Sequence, residues 1–129
     1  MPNTPIPIEV PGLAPNNTTY SQATRCGDLV FVSGQLGFDP FTRQLVPGGL
    51  AAETQQALDN IAAILSATGS ALESVARVNI YITRFDLLGV MNEVYAQYFP
   101  VHKPAKTTVE VSRLDRGGMI EIEVIASVR

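Results

Sequence analysis

The sequence predicts a single α+β domain in the order β-β-β-α-β-α-β-β, one mixed sheet with two helices on one face. Three observations carry this. Residues 75–83 and 119–127 alternate apolar and polar side chains with the period of two that marks a half-buried strand. Residues 50–68 and 87–99 repeat apolar side chains every three to four positions, the spacing of one helical face. The chain of 129 residues has the length of one domain, 1–129, and its 46% of hydrophobic residues can fill a core without disulfide or metal staples.

The elements follow in chain order. The stretch to about Asn17 carries five prolines, which predicts an extended arm with one short strand near residues 8–10. Residues 20–25 and the β-branched, aromatic run DLVFVS at 28–33 flank the turn residues Cys26, Gly27 and Asp28, the pattern of a hairpin. A Gly- and Pro-punctuated loop, 37–49, leads to the first helix, whose Leu58, Ile61, Ala62 and Leu65 share a face and which Gly69 is placed to stop. The strand 75–83 sets Ala76, Val78, Ile80 and Ile82 against Arg77, Asn79, Tyr81 and Thr83. Asp86 stands where it can cap a second helix with Leu87, Met91, Val94, Tyr95 and Tyr98 along one stripe, ending before Pro100. Strands at 107–112, weakly alternating, and 119–127, cleanly alternating, close the chain around a turn at 115–118.

Composition excludes several function classes. A net charge of −3 and no run of five or more Lys or Arg argue against a nucleic-acid partner. No apolar run reaches the roughly 20 residues of a membrane span, and the N-terminus lacks the charged start and apolar core of a signal peptide, so a soluble cytoplasmic protein is expected. Cys26, the single cysteine, fits a reducing compartment and reads as a structural thiol, since nothing in the sequence ties it to the single histidine, His102. One His and one Cys leave no metal-ligand cluster of usual spacing, and no cofactor is expected.

Two helices cover one face of the sheet. The other would carry Arg77, Asn79, Tyr81, Glu121 and Glu123 among apolar neighbours, too polar for a core and too mixed for an open surface. A symmetric oligomer that closes several such sheets together shelters this face and puts polar groups at subunit junctions.

Several separated segments match one family pattern in order and spacing: Tyr20 after the Pro-rich arm, VSGQ at 32–35, TQQALDNI at 54–61, VMNEVYAQYF at 90–99, PAKTTVEVSRL at 104–114, and DRGGM followed by IEIEVIA at 115–126. Over nearly its whole length the chain resembles the Rid (YjgF-like) family, in which Pro-Ala-Arg is followed by a strand, a Leu-turn and an Ile-Glu-Ile strand. The resemblance implies a chorismate-mutase-like trimeric barrel, hence a homotrimer, and a site between subunits for a small carboxylate-bearing ligand. In the deaminase branch that site hydrolyses 2-imino or enamine acids to 2-oxo acids and ammonia without metal or organic cofactor.

Carried over by position, the water-positioning glutamate is Glu121; Glu123, on the same strand face, reads as structural. The signature arginine is replaced by Lys106, which keeps the charge that grips a carboxylate but not the planar fork that fixes it bidentately. Thr108 would offer a strand-edge amide to the same carboxylate. Tyr20, Ser33 and Asn92 match positions that line the family pocket, and Gly34 permits close backbone approach beside Ser33. Arg77 reads as an interface ion-pair partner. Because of Lys106, a non-catalytic member that senses or sequesters small acids is the alternative to the deaminase. A ribonuclease or translation inhibitor, roles attached to relatives, is opposed by the pI near 5.0.

Overall fold

In the computed structural model, which describes residues 4–10 and 19–128, β1 (Ile6–Ile8), β2 (Ala23–Cys26) and β3 (Leu29–Leu36) precede α1 (Gly49–Ala67), β4 (Val75–Ile82), α2 (Leu88–Tyr98), β5 (Ala105–Glu110) and β6 (Ile120–Ser127). The strands build one sheet in the order β1-β2-β3-β6-β4-β5, antiparallel except for the β4–β5 pair. The predicted α+β class and element order hold. Much of the proline-rich arm lies outside the described residues; its strand sits at Ile6–Ile8, slightly earlier than 8–10, because it pairs with β2 from Arg25 to Ala23.

The core lies between the helices and one face of the sheet. Val78, Ile80 and Ile82 of β4 and Ile120, Ile122 and Ala126 of β6 have no exposed surface and meet Leu58, Ile61, Ile64 and Leu65 of α1 in one apolar cluster. Each buried Ile or Leu of this kind contributes roughly 1.5–3 kcal/mol. The α1 stripe is rotated slightly from the sequence reading: Ile64 is buried where Ala62 was expected, and Ala62 is half-buried. The larger side chain takes the deeper place, since it removes more apolar area from water.

Two further expectations change. Ala76 is exposed and Val75 takes its place in the core, because the β4–β6 register shifts between Val75 and Arg77 and a bulge turns Ala76 outward. Asp86 does not cap α2: its carboxylate takes two hydrogen bonds from the Arg84 guanidinium, at 2.9 and 2.7 Å, and a short 3-10 turn, Phe85–Leu87, leads into the helix. A bidentate, charge-assisted contact outcompetes a single bond to a helix N–H. At the other end of α1, Gly69 does act as the stop, in the left-handed conformation (φ 78°) with Ser70 N–H closing onto Leu65 O.

Glu53 is a buried polar anchor that helical periodicity does not flag. It is 3% exposed in α1 and its Oε1 accepts the Met119 N–H at 2.7 Å, fixing the chain just before β6. Burial pushes its carboxyl up while the Met119 bond pulls it down. No helix among the described residues is long and apolar enough to cross a membrane.

Candidate functional site

Strand alternation divides the candidate residues between the two faces of the sheet. Lys106 is the cross-strand partner of Val78, and Thr108 that of Ile80; both partners point into the core, so Lys106 and Thr108 lie on the helix-covered face. There Lys106 Nζ donates to Asn92 Oδ1 at 3.0 Å and sits 4.4 Å from the centre of the Tyr95 ring, a cation–π contact. Burial against these groups draws its pKa down. Tyr95 stacks on Phe99 at 4.7 Å, and burial pushes its phenol up to about 12. Asn92 and Tyr95 are three residues apart in α2, so one helical turn presents both to β5. Since β5 is an edge strand, its outward amides, near Thr108, have no sheet partner.

Glu121 lies on the opposite, open face. Its strand neighbours Ile120 and Ile122 point inward, and its partners across the sheet are Leu36 and Tyr81. The Glu121 carboxylate rests over Gly34, where β3 bulges between Val32 and Gln35: a Cβ at Gly34 would lie only 2.7 Å from the Glu121 carboxyl carbon. Among the described residues no donor reaches this carboxylate. Burial raises its pKa, and the like charges of Glu123 and Asp115 raise it further. Glu123 is engaged by the Tyr81 hydroxyl. These carboxylates do not form a group placed to hold a metal ion.

The remaining candidates gather at the bulge. Ser33 donates its hydroxyl to Ser21 O at 2.6 Å and its N–H to Gln22 O at 2.9 Å, tying the entry of β2 to the bulge. Tyr20, 60% exposed, directly precedes Ser21 in the chain. Arg77 donates to Thr107 Oγ1 at 2.5 Å. His102 meets Val75 O. A surface depression of about 630 Å³ is lined by residues 113–117 and by none of the candidates.

The chain thus brings Lys106 to Asn92, and Glu121 to Gly34, but does not bring Lys106 to Glu121. Their side chains leave opposite faces of one sheet. The sequence reading missed Tyr95 as a partner of Lys106, Tyr81 as the partner of Glu123, and Asp115 as a neighbour of Glu121. Only the Asn92–Tyr95 spacing carried a local signal; the others depend on cross-strand register.

Comparison with known proteins agrees with this architecture. The family model described as Endoribonuclease L-PSP matches residues 12–128. A RutC family protein of Pyrococcus horikoshii is 47% identical over 107 residues, 83% of this chain and 85% of that protein. The Bos taurus 2-iminobutanoate/2-iminopropanoate deaminase is 43% identical over 83% of this chain and 78% of its own length. The crystal structure of RidA from an Antarctic Psychrobacter superposes with a TM-score of 0.85 at 40% identity, covering 91% of this chain and 95% of that one. With a family match across the chain and relatives well above a third identical, the protein belongs to the Rid (YjgF-like) family.

Proposed function

We propose that the protein hydrolyses small 2-imino and enamine acids to 2-oxo acids and ammonia, in pockets that form between the subunits of a cytoplasmic homotrimer. The observation that carries this reading is Glu121: a half-buried carboxylate with no donor among the described residues, lodged over a glycine bulge and held above the usual carboxylate range by burial and neighbouring charge. Such a group is suited to take a proton from water as that water attacks an imine carbon. The C–O bond forms as the imine π-electrons move to nitrogen and the proton held by Glu121 passes to that nitrogen, giving a carbinolamine; the carbinol O–H proton is then carried to nitrogen by the same carboxylate, so that the C=O bond forms, the C–N bond breaks and ammonia leaves. Lys106 supplies the cation for the substrate carboxylate, with Thr108 offering an edge amide, Asn92 steering the ammonium, and Tyr20, Ser33 and Gly34 forming the wall around Glu121.

A pocket holding both charges must be composite, because Lys106 and Glu121 occupy opposite faces of their own sheet. Docking the β5 edge of one subunit against the open face of the next brings them together. That face carries Leu29 and Phe31, 42% and 38% exposed, beside the polar row, which gives an apolar rim to bury. Sedimentation at micromolar concentration should therefore give a trimer; a stable monomer would reject the composite site.

The relatives named as 2-iminobutanoate/2-iminopropanoate deaminases support the reaction class. The alternative, a member that binds small acids without turning them over, is favoured by one observation: the Lys106 ammonium is turned toward Asn92 and Tyr95 and lacks a fixing fork. The two readings separate by experiment. With 2-iminopropanoate generated by an amino-acid oxidase, the wild type should accelerate its decay and Lys106→Arg should accelerate it further. Lys106→Ala should weaken pyruvate binding about 10- to 150-fold, the loss of one charge-assisted hydrogen bond of roughly 1.5–3 kcal/mol. No acceleration by either active form, with pyruvate affinity unchanged in Lys106→Ala, rejects the enzyme reading.

A further inference from the structure

Lysine is an awkward anchor for a carboxylate, because its ammonium ends a flexible four-carbon stem with no fixed direction. At Lys106 the head of that stem is not left free. Nζ donates to Asn92 Oδ1 at 3.0 Å and lies 4.4 Å from the centre of the Tyr95 ring. The ring is itself clamped: it stacks on Phe99 one helical turn later, with centroids 4.7 Å apart, and Phe99 is only 2% exposed. Lys106 meets the face of the ring and not its oxygen, and the hydroxyl is buried with no hydrogen-bond partner among the described residues.

We propose that Tyr95 is a positioning residue for the carboxylate anchor: its ring pins the Lys106 ammonium in one place at the edge of β5. The inference rests on the role proposed above for Lys106.

The physical argument is one of preorganisation. A hydrogen bond to Asn92 and a face-on cation–π contact fix two directions of a tetrahedral head that carries three N–H donors, and leave the rest of it for one carboxylate oxygen. The second oxygen has a partner of its own. Val111 N–H donates to Ile82 O at 2.8 Å, and alternate residues of a ladder face the neighbouring strand, so the N–H groups of Thr107 and Val109 turn toward β4 and that of Thr108 turns outward from the edge. Two separate donors can then hold a carboxylate as one planar fork does, on condition that the ammonium stays in place. The ring meets that condition, since a head already pinned loses less freedom when the ligand arrives. No carboxylate among the described residues pairs with Lys106, and burial is the one cause that draws its pKa down, so its charge is open to an incoming acid. The other lysine nearby, Lys103, is engaged by Phe99 O and Pro100 O at the end of α2.

The test is pyruvate binding to the intact protein, followed by calorimetry, with the ring electrons at position 95 as the variable. Tyr95→Phe keeps the ring face and serves as the reference. Di- and trifluorinated phenylalanine, incorporated at the same position by nonsense suppression, withdraw electron density from the face with little change in size. Affinity should fall with each fluorine added, to a total of about 2- to 30-fold once the attraction is gone. Tyr95→Leu should give that loss in one step. In a Lys106→Ala background the whole series should be flat, because no ammonium is left to pin. A ring that only packs α2 against the sheet would lower affinity alike in both backgrounds and ignore fluorine. Affinity that is independent of fluorine, or tighter in Tyr95→Leu because the ring had held the ammonium away from the ligand, overturns the inference. A stepwise fall in a protein that does not hydrolyse 2-iminopropanoate upholds the pinning and rejects the proposed reaction. Hydrolysis and pyruvate binding that need Lys106 but ignore the ring do the reverse.

Discussion

Glu121→Gln is expected to lower kcat/KM for 2-iminopropanoate by about 100- to 10,000-fold, the range that a positioned general base contributes. The amide keeps the shape over Gly34 but cannot take a proton from water. The loss should not come from unfolding. A carboxyl whose pKa is raised in the folded state favours the fold at low pH, and that advantage is lost as pH rises through the raised value. At neutral pH the glutamine, free of the burial of a charge and of repulsion by Glu123 and Asp115, should give a thermal midpoint equal to or above that of the wild type. By the same sign, wild-type kcat/KM should fall as pH drops through the Glu121 pKa, since protonation removes the base. Activity within about twofold of wild type in folded Glu121→Gln protein would assign the water to another group.

Gly34→Ala is expected to cost about 100-fold in kcat/KM while the protein stays folded. The new methyl would overlap Glu121 Oε2 and lie 2.7 Å from the carboxyl carbon, closer than real atoms approach. What stands in its way is the far end of a flexible side chain, so the carboxylate swings aside at a cost below about 1 kcal/mol and the bulge survives. A carboxylate displaced by about 1 Å no longer holds water in line with the imine carbon, and misplacement of that size costs about 100-fold. Equal activity in the alanine variant, with unchanged stability, would mean that the carboxylate works from another rotamer.

The parts of this structure that could be read from the sequence are those fixed by local periodicity. VARVNIYI and IEIEVIAS alternate so regularly that their inward residues could be named from spacing, and all but one of those are buried. The exception, Ala76, fails because a bulge inserts a residue without changing composition. Asp86 was misread because capping preference is a property of one position, whereas Arg84, two residues away, offers a better partner. The candidate site was legible as a set of residue types on matching segments, but not as a place. Alternation gives each strand two faces without saying which face of β5 continues which face of β6. That depends on β4, which pairs with both, and its register puts Lys106 with the core residues and Glu121 with the open row.

The strand that joins the two halves of the sheet is also the last of the six in chain order. β1, β2 and β3 can pair as they emerge, and so can β4 and β5, but nothing hydrogen-bonds the first group to the second until Ile120–Ser127 inserts between β3 and β4. Formation of the native sheet therefore waits on closure of loops some 40 to 90 residues long, a topology that places folding toward the slow end of small domains. During synthesis the inner edges of β3 and β4 stand unpaired until β6 has been made, an interval in which strand edges are open to neighbouring chains.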